Sequence, residues 1–512
     1  IVVVRYWHLI TPRKEAREYI LRDFIQNGQE TAFLAGLKKG SILLWDVSTG
    51  AGALLNSGMG LFYPLNLLYL PFVRNEFIVH HAFQYFYVLH VLLMGVFAYL
   101  LLRELGATRL PAVVAGLIYS FNGYTLVHSM QLGLINTMTW LPLVFMFMER
   151  ARRLERLLPS AWGGVALGVA VLAAHAQIYY YIALAAALYA AFWAIAGWRS
   201  SAGFAARVRP LTQLVVLGSV AFGISAIQTI PAFWTGVESL HAAVGQEFKW
   251  RNPLNFYQLA MLVVPWGLEA VEDWNILVSE RYAYMGWAAL VFGLGALVWR
   301  REAKTYAYAA IAGIALILAM GDNSFLFKIF YDYVPGYGMF RYPSRVLLVF
   351  VFGMTVLAGL GLDRFLSDED GREARERVPR VLKVFAFGGL GLWLVTIAAL
   401  TATAGTAVHD RMIHFASQLG LALVVVWLWW GIAAAARNGW QTRGFGLGLV
   451  TVVLFDLWSP GSVGERVPTP DGLKQQEESA VAFLNARKRT GELFRIENHL
   501  LRESLLARYG IS

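Results

Sequence analysis

Apolar runs of about 18 residues or more recur along the chain, and polar residues crowd into the breaks between them. That is the length a helix needs to cross a bilayer. Leu211–Ile230, Val346–Leu362 and Leu419–Ala436 carry no charge at all. Soluble core helices are seldom so long and so uniformly apolar. The pattern predicts spans at Glu76–Leu102, Leu110–Val127, Leu132–Met148, Trp162–Ala174, Ile178–Trp198, Leu211–Ile230, Tyr282–Trp299, Thr305–Met320, Ser344–Leu362, Val384–Thr403, Phe415–Ala436 and Gly444–Trp458. With a helix remnant at Ile1–Ile10, the expectation is an all-α polytopic bundle of about 12–13 transmembrane helices. Trp162–Ala174 is short, and merging it with its neighbour into one bent helix is the alternative.

Composition agrees. The 512 residues are 58% hydrophobic and 15% charged, where a soluble domain is about half apolar and a quarter charged. The net charge of +10 would suggest nucleic acid in a soluble protein. Here the basic residues sit in short loops between apolar runs, where the positive-inside rule expects them, so no nucleic-acid partner is expected. One alternating set of loops holds Arg103 and Arg109, Arg150 to Arg156, Arg199 to Arg209, Arg300 to Lys304, Arg364 to Lys383, and Arg437 and Arg443. The alternation is unbroken only if Trp162–Ala174 and Ile178–Trp198 are separate spans. It makes the basic loops cytoplasmic and leaves three external segments: residues 11–75, residues 234–280, and a tail at 459–512. The bundle is then residues 1–458, and the tail reads as the start of a small external domain. The chain opens on Ile1-Val2-Val3-Val4 and closes on Tyr509-Gly510-Ile511-Ser512, and is expected to lack most of a first helix and the end of its tail. There is no cysteine, which removes disulfide and thiolate chemistry.

Chemistry concentrates in a few places. Residues 11–75 are long for a connector and hold Glu15, Glu18, Asp23, Glu30 and Asp46. A partly desolvated carboxylate at a membrane surface suits a general base; taken singly, each also reads as a solvated loop charge. Arg341 and Arg345 stand at the external mouth of the Ser344–Leu362 span, four residues apart and on one face if the helix already runs there. A guanidinium fork holds phosphate oxygens well, and snorkelling to lipid headgroups is the equal alternative. Asn122, His128, Gln131 and Asn136 surround one external turn, and His175 and Gln177 another; they read as cavity lining or as helix-to-helix hydrogen bonding. No histidine set has metal-ligand spacing, so no cofactor is expected and a divalent metal has no support in the sequence.

Leu44-Trp45-Asp46, Phe62-Tyr63-Pro64-Leu65-Asn66, Arg103-Glu104-Leu105-Gly106, Ser120-Phe121-Asn122-Gly123-Tyr124 and Trp140-Leu141-Pro142-Leu143, followed by Phe340-Arg341-Tyr342-Pro343-Ser344-Arg345 and Gly359-Leu360-Gly361-Leu362-Asp363, together resemble the bacterial YfhO-like family of the GT-C glycosyltransferase superfamily. The resemblance implies a GT-C-like bundle in the bacterial cytoplasmic membrane. It also implies an inverting glycosyltransferase that takes a sugar from a polyprenyl-phosphate donor to an acceptor outside that membrane. In such enzymes an acidic residue of the first external loop lies at the active site, which points to Asp23 as base with Asp46 second. Arg341 and Arg345 would hold the donor phosphate. The stretch after Asp23 departs from the family, and Leu43-Leu44 stand where a proline usually precedes the tryptophan. Those departures favour the alternative: a non-catalytic GT-C-like subunit that scaffolds other membrane subunits.

Overall fold

A computed structural model describes residues 28–41, 45–46, 53–54, 60–74, 77–78, 80–129, 131–199, 203–238, 253–265, 280–367, 371–404, 406–437 and 443–458. Each predicted apolar run is a helix. In chain order these are α2 (His80–Glu104), α3 (Arg109–Phe121) with its short extension α4 (Gly123–Val127), and α5 (Leu132–Met138) running into α6 (Leu141–Leu154). Next come α7 (Leu158–Leu172), α8 (Ala176–Arg199), α9 (Phe204–Glu238), α10 (Gly286–Trp299) and α11 (Ala303–Ala319). An amphipathic helix α12 (Phe325–Tyr333) precedes α13 (Leu347–Phe365), α14 (Arg372–Thr403), α15 (Ala407–Arg437) and α16 (Arg443–Trp458). Among the described residues, eight helices are long and apolar enough to cross a membrane, and four more are apolar but shorter. α7 and α8 are separate helices. Ala174 between them takes φ 72°, a left-handed conformation that ends a right-handed helix.

Residues 11–75, expected to be external, are not wholly helical where they are described. After α1 (Gly28–Lys38), a two-residue strand pair joins β1 (Trp45–Asp46) to β2 (Ala53–Leu54). A 3-10 helix at Pro64–Phe72 leads to a second pair, β3 (Val73–Arg74) with β4 (Phe77–Ile78). Lys38 donates from Nζ to the Val73 carbonyl at 2.6 Å, tying α1 to this turn. The remnant at Ile1–Ile10, the tail from Ser459, and most of Trp234–Glu280 lie outside the described residues.

The bundle is organised around α13. The apolar stretch of Pro343–Phe365 is 94% buried, against 11% for Arg372–Thr403, so α13 is the axle and α14 lies at the edge. α13 packs against α3, α10 and α11. Gly361 makes the closest approach possible: a Cβ there would lie 2.0 Å from the Phe292 carbonyl oxygen of α10. Without hydrophobic drive between helices in lipid, such small-residue contacts supply the packing.

Charged contacts gather the basic loops at one end. Glu104 accepts from Arg150 Nε and Nη2 at 3.0 and 2.8 Å, and from Arg153 Nε and Nη2 at 3.0 and 2.7 Å. Asp363, at the foot of α13, accepts from the Thr108 amide and hydroxyl at 2.7 and 2.8 Å and from Arg300 at 2.9 Å. Lys304 reaches the Leu105 carbonyl at 3.0 Å, and Arg209 pairs with Glu155.

Candidate functional site

At the opposite end, a charged network surrounds the entry to α13. Pro343 opens a 3-10 turn, Pro343–Val346, where its missing N–H and fixed φ suit a first helical turn. Arg345, on that turn, meets Glu280 with both prongs of its fork: Nε to Oε2 at 2.9 Å and Nη2 to Oε1 at 2.6 Å. His128, from the turn after α4, closes on the same carboxylate with Nε2 at 3.1 Å from Oε2 and Nδ1 at 2.8 Å from the Tyr124 carbonyl. Both ring nitrogens face oxygen acceptors. The third guanidinium nitrogen of Arg345, Nη1, donates to Gln177 Oε1 at 3.2 Å. Gln177 Nε2 in turn donates to the Arg341 and Tyr342 carbonyls, at 2.6 and 3.3 Å, and to the Tyr181 hydroxyl at 2.9 Å.

Glu280 is 1% exposed. Burial alone would raise its carboxyl, but the bonds from His128 and Arg345 outweigh burial and hold it well below the usual carboxylate range. His175, at the left-handed turn before α8, is pushed down to about 3 by burial and then by the Arg345 cation. Its Nδ1 finds no hydrogen-bond partner among the described residues.

Sequence-predicted residues therefore split. His128, Gln177 and Arg345 meet in one network, with His175 beside it. Asn122 is buried but spends its side chain within its own turn: Nδ2 donates to the Tyr119 carbonyl at 2.7 Å, and Oδ1 accepts from the Thr125 amide at 2.9 Å. Gln131 precedes α5, and its backbone N–H donates to the His128 carbonyl at 2.8 Å. Arg341 is exposed, with its guanidinium carbon 4.9 Å from the Tyr342 ring centroid. Tyr342 itself has φ 59°, a strained value for a bulky residue, and its carbonyl accepts from Gln177. Asp23 lies outside the described residues, and so does the side chain of Asp46 in β1. Among the described residues, no group of three His, Asp or Glu side chains could hold a metal ion.

Several site residues escape sequence reasoning. Glu280 reads as one acid among many in an external loop. Asp456, near the end of α16, is fully buried; it accepts from Tyr284 Oη at 2.5 Å, the Trp287 amide at 2.7 Å and Trp429 Nε1 at 3.2 Å. It caps the start of α10 from another helix, and so fixes the segment that carries Glu280. A third cluster seats the first loop: Trp140 Nε1 donates to Tyr63 Oη at 3.0 Å, Tyr63 Oη lies 2.8 Å from His90 Nε2, and His90 Nδ1 lies 2.7 Å from the Phe86 carbonyl. The only sequence signal was Tyr63 and Trp140 lying within the quoted motifs.

A bundle of apolar helices, basic at one end and carrying a buried ionic network at the other, defines a multi-pass membrane protein. The chain belongs to the family of the bacterial membrane protein YfhO, whose model matches residues 30–504. Among solved structures it is similar to ArnT from Cupriavidus metallidurans bound to undecaprenyl phosphate, at 13% identity and TM-score 0.49, over 99% of this chain and 84% of that one. It is also similar to the Archaeoglobus fulgidus oligosaccharyltransferase in the apo form, at 13% identity and TM-score 0.43, over 97% of this chain and 60% of that one. A third is the archaeal oligosaccharyltransferase AglB from Archaeoglobus fulgidus, in complex with an inhibitory peptide and a dolichol-phosphate. It shows 14% identity and TM-score 0.39, over 91% and 61% of the two chains. No curated protein matches the chain in sequence.

Proposed function

We propose that the chain is a GT-C-type glycosyltransferase of the bacterial cytoplasmic membrane, moving a sugar from a polyprenyl-phosphate carrier to an acceptor on the outer side, where the tail also lies. The observation that carries this is the different placement of the two arginines. Arg345 is consumed by Glu280 and Gln177, and that clamp holds the exposed Arg341 at the mouth of α13 through its own carbonyl. An exposed guanidinium at a membrane surface suits a lipid phosphate. In the reaction the acceptor oxygen attacks the anomeric carbon, its proton passes to a carboxylate, and the sugar–phosphate bond breaks with inversion. One base suffices, and Asp23 or Asp46 supplies it. Arg341 stabilises the charge that develops on the departing phosphate.

The non-catalytic scaffold is the second reading. It is favoured by Arg345, whose donors go to protein groups rather than outward. Undecaprenyl-phosphate sugar in nanodiscs decides between the two. The transferase reading expects donor binding that Arg341→Gln weakens about tenfold, and turnover that Asp23→Asn or Asp46→Asn abolishes while binding persists. Donor binding unaffected by Arg341→Gln, with no turnover in the unaltered chain, overturns it.

A further inference from the structure

The basic end holds a second polar site that the reading above does not use. A cavity of about 10 Å³ opens among α6, α7, α8 and α9, lined by Arg152, Ser160, Tyr189, Trp193 and Gln213 together with apolar side chains. That is room for about one oxygen-sized atom. Ser160 is 1% exposed, and its Oγ has no hydrogen-bond partner among the described residues; nor has Trp193 Nε1. Arg152 lies over the indole of Trp193, with its guanidinium carbon 4.1 Å from the ring centroid. Its Nε and Nη2 are spent on Glu149, which also accepts from Tyr189 Oη.

The donors call for an acceptor oxygen there. Trp Nε1–H and the Arg N–H groups can only donate, and the serine hydroxyl can donate as well. The serine can accept too, so a water or an anionic oxygen would satisfy the group, and the choice between them falls to what surrounds the cavity. The surroundings decide the rest. At this end Leu158, Trp162, Trp198 and Phe204 are all more than half exposed, an aromatic and aliphatic rim of the kind found at headgroup level. Arg207 lies over Trp198 at 5.6 Å, and Arg150, Arg153 and Arg156 extend the positive field. A free phosphate would be too large for the notch, with its remaining oxygens left against Met148, Ala190 and Pro210. A lipid headgroup would insert one oxygen and leave the others in the wet interface, with its chains against the exposed Trp162 and Val215.

We propose that Arg152, Ser160 and Trp193 form a binding site for one phosphate oxygen of an anionic phospholipid in the leaflet at the basic end. Basic juxtamembrane residues attract such lipids generally; this site would retain one of them through detergent. Native mass spectrometry tests it on the full chain released from nanodiscs of mixed phosphatidylglycerol and phosphatidylcholine. The unaltered chain should carry one phosphatidylglycerol. Ser160→Ala and Trp193→Phe, which each remove one donor and keep the packing, should each weaken its retention about fivefold. Millimolar inorganic phosphate should not displace it. Equal retention in both variants and the unaltered chain overturns the site. Displacement of the lipid by inorganic phosphate overturns the lipid as its source. Arg152→Gln is a poorer probe, because it strands the buried Glu149 and threatens the fold.

Discussion

Arg341 and Arg345 both lie over the ring of Tyr342, their guanidinium carbons 4.9 and 5.1 Å from its centroid, but they do different work. Arg345 is an internal strut, and Arg341 is exposed. Four-residue spacing suggested a pair acting together. The backbone turn at Tyr342 separates them.

That division gives the first prediction. Removing Glu280 strands a buried cation, and breaking such a pair costs about 3–5 kcal/mol. Glu280→Gln should therefore lower the melting temperature of the detergent-purified protein markedly. Arg341→Gln should leave it within a degree or two, since surface substitutions change stability by about 0.5 kcal/mol or less. Equal melting temperatures for Glu280→Gln and the unaltered chain would remove the ionic clamp from the argument.

Acid should unfold the site end in two stages. His175 is held at about 3 in the fold, below its ordinary value of 6.5, so the unfolded chain binds its proton first. Its contribution to stability is complete above pH 6.5 and is lost as pH falls from there towards 3, with a slope of at most about 1.4 kcal/mol per pH unit. Glu280 is also depressed. Its contribution is present above the ordinary carboxylate range near 4.5 and is lost only as pH falls below it. The melting temperature of His175→Gln should accordingly fall less between pH 6.5 and 5 than that of the unaltered chain. Parallel declines would refute the assignment to His175.

Gly361→Ala tests the axle. A Cβ placed 2.0 Å from the Phe292 carbonyl oxygen forces α10 and α13 apart, at a cost of about 3 kcal/mol, the upper end of overpacking penalties. Yield and melting temperature should both fall, and Gly391→Ala, which meets nothing within 4 Å, serves as the control.

Orientation is open to labelling because the chain has no cysteine. A membrane-impermeant maleimide added to intact cells should modify Asn323→Cys, at the site end, and spare Ser367→Cys, at the basic end, until the membrane is opened. The reverse result would invert the placement of the proposed active site.

The helices were legible because each depends on a local run of apolar residues, and every run became one. So was part of the site: His128, His175, Gln177 and Arg345 interrupt apolar stretches, and such interruptions cost energy unless partnered. Glu280 was not legible. Its partners lie 152 and 65 residues away, and nothing in the local sequence marks out the carboxylate that will be buried. Asp456 was missed for the same reason, since its role as a helix cap is set by tertiary contact with α10. The first strand pairs escaped because two-residue ladders leave no periodicity to read.

α13 is tethered by charge at both extremities, through Arg345 above and Asp363 below. The eighteen residues from one tether to the other rise about 27 Å, close to the roughly 30 Å of hydrocarbon in a bilayer. A helix so held acts as a gauge rod. It can neither slide nor tilt without breaking an ion pair in one leaflet or the other, so the depth at which Arg341 meets the membrane surface is registered from the opposite side, and thinner or thicker bilayers must adapt to the protein.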